Sequence, residues 1–134
     1  MDSKIWESLW TKYKDVAPVN VMNDPSSISM RSELIGFLLN FFDLKGKRIL
    51  EVGTGTGQYS MELSLRGAHC TGIDIDKNSI DLANRIAKEY HIENCKFINM
   101  NLFDVKERYD IVISMGLVEH FNNIELIQVL KKMN

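Results

Sequence analysis

An α/β fold, a doubly wound parallel sheet in three α/β/α layers, is predicted by three features of this sequence. Short apolar runs alternate with helical patterns from residue 48 onward. The first run, Ile49, Leu50 and Val52, breaks into Gly53, Gly55 and Gly57 before a helical segment begins. Gly53, Asp74, Asn101 and Ser114 then fall where successive strands end, the side on which open parallel sheets bind ligands.

Composition bounds the rest. The chain has 134 residues, 45% hydrophobic and 25% charged, enough for one compact soluble domain over residues 1–134. Residues 1–45 read as N-terminal helices and 46–134 as the α/β core. A net charge of −2 with scattered Lys and Arg leaves no footprint for nucleic acid. The longest apolar stretch, Ile35 to Phe42, is too short for a membrane span, and the first residues carry no signal-peptide pattern. Cys70 and Cys95 fit no zinc or redox spacing and are expected as buried, reduced thiols in a cytoplasmic protein. No metal site is expected.

In chain order, Ser3 to Asp15 places Ile5, Trp6, Leu9, Trp10 and Tyr13 on one helical face, to serve either packing or a cover over the ligand. Pro18 to Pro25 reads as a mobile connection. Asp24-Pro25 caps and starts a helix running to about Phe42, with Ser27 as an alternative start. The strand Ile49–Val52 and its glycine loop lead into a helix from Gln58 to Arg66, ended by Gly67. A strand from Cys70 to Ile75 follows, then a helix from Ser79 to Tyr90 capped by Asp76 or Asn78. Lys96 to Met100 is the third strand, Tyr109 to Ser114 the fourth, and Asn123 to Lys132 the last helix, its lysines suiting a helix C-terminus. The incomplete sheet therefore has about four strands.

Strand, glycine loop and helix open a nucleotide-binding unit, and its variants can be separated. A P-loop needs Gly-Lys-Ser/Thr, whereas this loop ends Gly57-Gln58-Tyr59. A dinucleotide fingerprint wants a glycine at Gln58. Glu51 also opposes a pyrophosphate, because like charges about 4 Å apart repel by roughly 4 kcal/mol at an effective dielectric of 20. The same carboxylate suits a cationic group, and is compatible with a strand-end Glu bonded to loop amides. Asp74, 21 residues after Gly53, can accept both hydroxyls of a ribose.

Ile49-Leu50-Glu51-Val52-Gly53-Thr54-Gly55-Thr56-Gly57 resembles motif I of the class I, S-adenosylmethionine-dependent methyltransferases, and the resemblance runs from about Ser26 to the C-terminus. It implies a Rossmann-like sheet in which the second and third strands lie on one side of the first and the fourth on the other. It implies that Glu51, Gly53, Thr54, Gly55 and Gly57 hold the methionine end of S-adenosylmethionine and that Asp74 holds the ribose. Ile75 would lie against the adenine, which Asn101 and the Leu102 backbone amide would read. Asn101 stands where the family commonly has an acidic residue, with Asp104 the acidic partner if the alignment slips. Tyr109 to Ser114 resembles motif IV, and the segment from Met115 to Phe121 would line the methionine end. No general base is assigned, although His120 lies on the right segment and has a suitable intrinsic pKa.

The function expected is methyl transfer to a small-molecule acceptor. The alternatives are a truncated cofactor-binding module without activity and an NAD-dependent oxidoreductase. The family's sheet has seven strands, so the fourth strand here is expected at an edge, where Ile111, Val112 and Ile113 could join two chains as a homodimer.

Overall fold

The computed structural model describes residue 23 and residues 25–134. The expected helix from Ser3 to Asp15, most of the connection after it and the Asp24 cap lie outside the described residues. Helix α1 spans Pro25–Phe41, and strand β1 (Arg48–Val52) follows. Next come α2 (Gln58–Ser64), β2 (His69–Asp74), α3 (Lys77–Glu89) and β3 (Cys95–Asn99). A 3-10 turn at Leu102–Asp104 precedes β4 (Ile111–Ile113), a second at Val118–His120 follows it, and α4 (Asn123–Met133) ends the chain.

All pairings in the four-stranded sheet are parallel, and the order is β3-β2-β1-β4. This is the expected placement, with β1 central and β4 at an edge. The apolar residues of β1 alternate between two covers. Ile49 points toward α1 and α2, packing with Ile35, Leu38 and Leu63. Leu50 and Val52 face the other way, toward Leu102, Val105 and Val129 of α4. On the first face α3 adds Ile80, Ala83 and Ile86 against Met61 and Phe97. Three helices thus cover one face, while a 3-10 turn and α4 cover the other.

Local chemistry explains the element ends. Asp76 caps α3 by accepting from the Ser79 amide at 2.8 Å, the better of the two caps the sequence offers. Asn122 and Glu125 form a reciprocal capping box at the start of α4. α2 is shorter than its helical pattern and is capped at Leu65, because the chain must turn back into β2.

β4 is half its expected length. Side chains extend the ladder at its ends, where the Asp110 amide still donates to the Arg48 carbonyl at 2.8 Å. The Asp110 carboxylate accepts from the Arg48 amide at 2.8 Å, and the Ser114 hydroxyl donates to the Val52 carbonyl at 3.1 Å. With no strand beyond it among the described residues, only Ile113 of β4 is buried. Cys70 is buried as expected, but Cys95 is half-buried because β3 is the opposite edge. No helix among the described residues is long and apolar enough to cross a membrane.

Candidate functional site

The glycine loop is held onto the tip of β2. The amides of Gly53 and Thr54 both donate to the Ile73 carbonyl, at 2.9 and 3.0 Å. Gly53 takes φ +70°, and a Cβ there would come within 3.1 Å of the Leu117 side chain. Gly55 takes φ +53°, and its amide donates to Asp74 Oδ2 at 3.0 Å. Asp74 Oδ1 accepts from the Asp76 amide at 2.9 Å. The Asp74 carboxylate therefore clasps the loop, while each oxygen keeps a lone pair for another donor. Burial pushes its pKa up, against the pull of these amide bonds.

Glu51 lies beneath the loop and is 1% exposed. Its Oε2 accepts from Thr54 Oγ1 at 2.7 Å, Ser60 Oγ at 2.6 Å and the Ser60 amide at 3.1 Å. These bonds favour the ionised form, but burial outweighs them and the Asp74 charge adds to it, so the pKa is raised to about 7. A carboxylate so placed gains from any cation brought near it.

Above these groups lies a cavity of about 470 Å³, within the range of small-molecule sites. Glu51, Gly53, Thr54 and Gly55 line it from β1 and the loop, and Asp74 and Ile75 from the tip of β2. Asn101 and Leu102 join them from the turn after β3. The Asn101 side-chain oxygen is engaged as a cap, accepting from the Phe103 amide at 3.0 Å. Gly57 and Ser114 are not among the lining residues. Gly57 is a glycine for packing: at φ +77°, a Cβ would stand 2.4 Å from the Phe97 ring. Ser114 ties β4 to β1 through the Val52 carbonyl. His120 is exposed and lies off the cavity, and Asp104 is likewise exposed and off it.

The remaining lining lies beyond the glycine pattern, and the segment from Met115 to Phe121, expected at this end of the cavity, supplies part of it. Met115, Leu117, Phe121 and Val129 form an apolar wall from the β4–α4 segment, and Met100 and Phe103 extend it. Gln58 and Tyr59 close the side nearest α2. Arg31 of α1, 6% exposed, donates to the Gln58 side-chain oxygen and bears electrostatically on Tyr59. An Arg four residues before Ile35, on the same helical face as that buried residue, was the available signal. Among the described residues the charged side chains lining the cavity are Glu51 and Asp74, both acidic. No group of three potential metal ligands gathers among the described residues.

Residues 49–134 match the family described as methyltransferase domain. The ubiquinone biosynthesis O-methyltransferase of Pelagibacter ubique (strain HTCC1062) is 28% identical over 127 residues, 92% of this chain and 53% of that protein. The protein of the same name from Coxiella burnetii (strain RSA 493 / Nine Mile phase I) is 38% identical over 80 residues, 58% of this chain and 34% of that one. Among solved structures, the PH0226 protein from Pyrococcus horikoshii OT3 superposes with a TM-score of 0.76 at 27% identity, covering 90% of this chain and 58% of that one. Magnesium protoporphyrin IX methyltransferase from Synechocystis PCC 6803, solved with bound SAM, gives 0.74 at 23% identity, covering 78% and 51%. The chain thus spans between a third and about half of the curated relatives it matches.

Proposed function

The chain belongs to the methyltransferase domain family, and from that premise we propose that it binds S-adenosylmethionine in the strand-tip cavity and directs its methyl group to a small, neutral, largely apolar acceptor. The observation that carries this reading is the sign of the cavity. Among the described residues its charged lining is two carboxylates, which favour a ligand bearing ammonium and sulfonium groups and oppose a pyrophosphate.

The cavity fits the cofactor. Its volume suits a nucleoside-sized ligand, and the positive-φ turns at Gly53 and Gly55 let backbone approach it closely. Glu51 would attract the ammonium group, and Asp74 would accept from the ribose hydroxyls through its remaining lone pairs. Ile75 would lie against the adenine. The Asn101 oxygen is already a cap, so base recognition would fall largely to the Leu102 amide. Gly57 and Ser114 would act at one remove, by seating α2 and fixing the β1 tip.

When bound, the cofactor supplies an electrophilic methyl on a good leaving group. The protein's part is then alignment of the acceptor and exclusion of water. The wall of Met115, Leu117 and Phe121 does both for an apolar acceptor and disfavours an anionic one. The relatives' O-methyltransferase activity supports a hydroxyl oxygen as the atom methylated. The two free thiols support a reducing, cytoplasmic location.

Titration calorimetry with S-adenosylhomocysteine and with NAD tests the reading. Binding of the first and not the second is expected. Asp74→Ala should weaken it by about 1.5–3 kcal/mol, the range for hydrogen bonds to a charged group, or roughly ten- to a hundredfold. Binding of NAD alone would overturn the proposal, and unchanged isotherms for Asp74→Ala would remove that residue from the site. Binding without turnover on any hydroxylated acceptor would leave a cofactor module without activity.

A further inference from the structure

We propose that Cys70 and Cys95 form a dithiol site that takes one trivalent arsenical as a bridge between β2 and β3. The two cysteines are direct register partners on neighbouring parallel strands, so their side chains leave the same face of the sheet. Ser64, buried on α2, bears on both thiols, and its hydroxyl bonds to the Ser60 and Asn94 carbonyls. The Asn94 carbonyl, 3.1 Å from that hydroxyl, also accepts from the Cys70 amide at 2.9 Å. One compact cluster therefore holds both sulfurs. Cys70 is 3% exposed, while Cys95 sits half-buried on an edge strand and gives a small reagent its way in. Neither residue lines the cavity, which lies at the other ends of these strands, so the site is independent of the proposed methyl transfer.

Strand spacing decides what the pair can bind. Register partners on parallel strands project side by side, so their Cβ atoms stay about as far apart as the strands, about 4.8 Å, wider than the roughly 3.8 Å between Cβ atoms that a relaxed disulfide needs. A direct S–S bond would strain the sheet, and both thiols are free. One atom between the sulfurs lengthens the bridge by a bond and removes that strain. Burial raises the Cys70 pKa to about 11 and that of Cys95 to about 12, so both carry protons at neutral pH and resist simple alkylation. Condensation with an organoarsenic oxide uses those protons. Two As–S bonds form, the arsenic–oxygen bond breaks, and both protons leave with the oxygen as water. Arsenic stays trivalent and neither sulfur is oxidised.

The probe is phenylarsine oxide added to the folded full chain. The sequence contains only 2 cysteines, so adducts are unambiguous. One phenylarsenic group per chain is expected by intact mass, with a raised thermal midpoint, release by 2,3-dimercaptopropanol and resistance to 2-mercaptoethanol. Cys70→Ser and Cys95→Ser should each lose that resistance. Should either variant fail to fold, the wild type still decides, because a bridge shields both cysteines from iodoacetamide after the adduct is denatured. No adduct on the folded chain, two adducts per chain, or protection of a single cysteine would overturn the proposal.

Discussion

Glu51 is a buried acid facing no cationic lining group among the described residues, and its pH behaviour follows from its burial. Its folded pKa of about 7 lies above its ordinary 4.5. The folded state therefore holds a proton that the unfolded chain has released, and Glu51 favours folding most below about pH 4.5. That contribution is lost as pH rises toward about 7 and changes little beyond; Asp74, also raised, acts with the same sign. Ligand-free chain should lose thermal stability across this window, and Glu51→Gln should flatten the loss. Affinity for S-adenosylhomocysteine should move the other way, rising toward pH 7 in the wild type and staying level in Glu51→Gln. Melting and calorimetry in a pH series measure both, and a wild-type midpoint that climbs through the window would contradict the assignment. Two loop glycines should fail differently. Gly57→Ala combines a left-handed backbone, about 1–2 kcal/mol, with overpacking against Phe97, about 1–3 kcal/mol, and Phe97→Leu should recover part of the loss. Gly55→Val also carries the left-handed backbone cost at φ +53°, but it should abolish ligand binding beyond its loss of stability, because its side chain enters the ligand's space. Denaturant melts and binding isotherms on the same variants separate the outcomes.

Elements whose cause is local were legible before the structure. Asp76 ahead of an amphipathic run announces α3, and Asn122 three residues before Glu125 announces α4. The glycine loop announced its turn, and Asp74 its place at a strand tip. Features that depend on distant partners were not legible. Nothing near Gly57 shows that the Phe97 ring occupies the space its side chain would need, nor that the same ring forbids a Cβ at Gly72. Asn101 read as a ligand contact because its side chain can accept a hydrogen bond, yet its nearest donor is the Phe103 amide two residues on. The length of β4 was overstated because Tyr109 and Asp110 run straight into its apolar residues, whereas at Asp110 the backbone amide meets the Arg48 carbonyl and the side-chain carboxylate takes the Arg48 amide. Beyond its place on the Ile35 face, nothing local to Arg31 shows that it is buried, and its acceptor on Gln58 lies 27 residues away.

At the scale of the whole molecule the two faces are unequally covered. α4 buries Val129 but leaves Ile124, Ile127 and Leu130 exposed, and beside it β4 offers an unpaired edge. We expect two chains to meet there, with sedimentation at several concentrations showing a dimer that Val112→Lys dissociates. A wild type that stays monomeric at high concentration would rule this out. The pairing register also carries a consequence in time. Leu50 meets Thr71, and Thr71 meets Lys96, each across one intervening helix, whereas Leu50 reaches Val112 only after both of those units have been traversed. Closing the longer loop costs more entropy, and it docks a strand of only three residues. β1, β2 and β3 should therefore assemble as an early unit onto which β4 and α4 close last, and from which they open first. Amide exchange in the native state should be fastest at Ile111–Ile113 and slowest at Ile49–Val52.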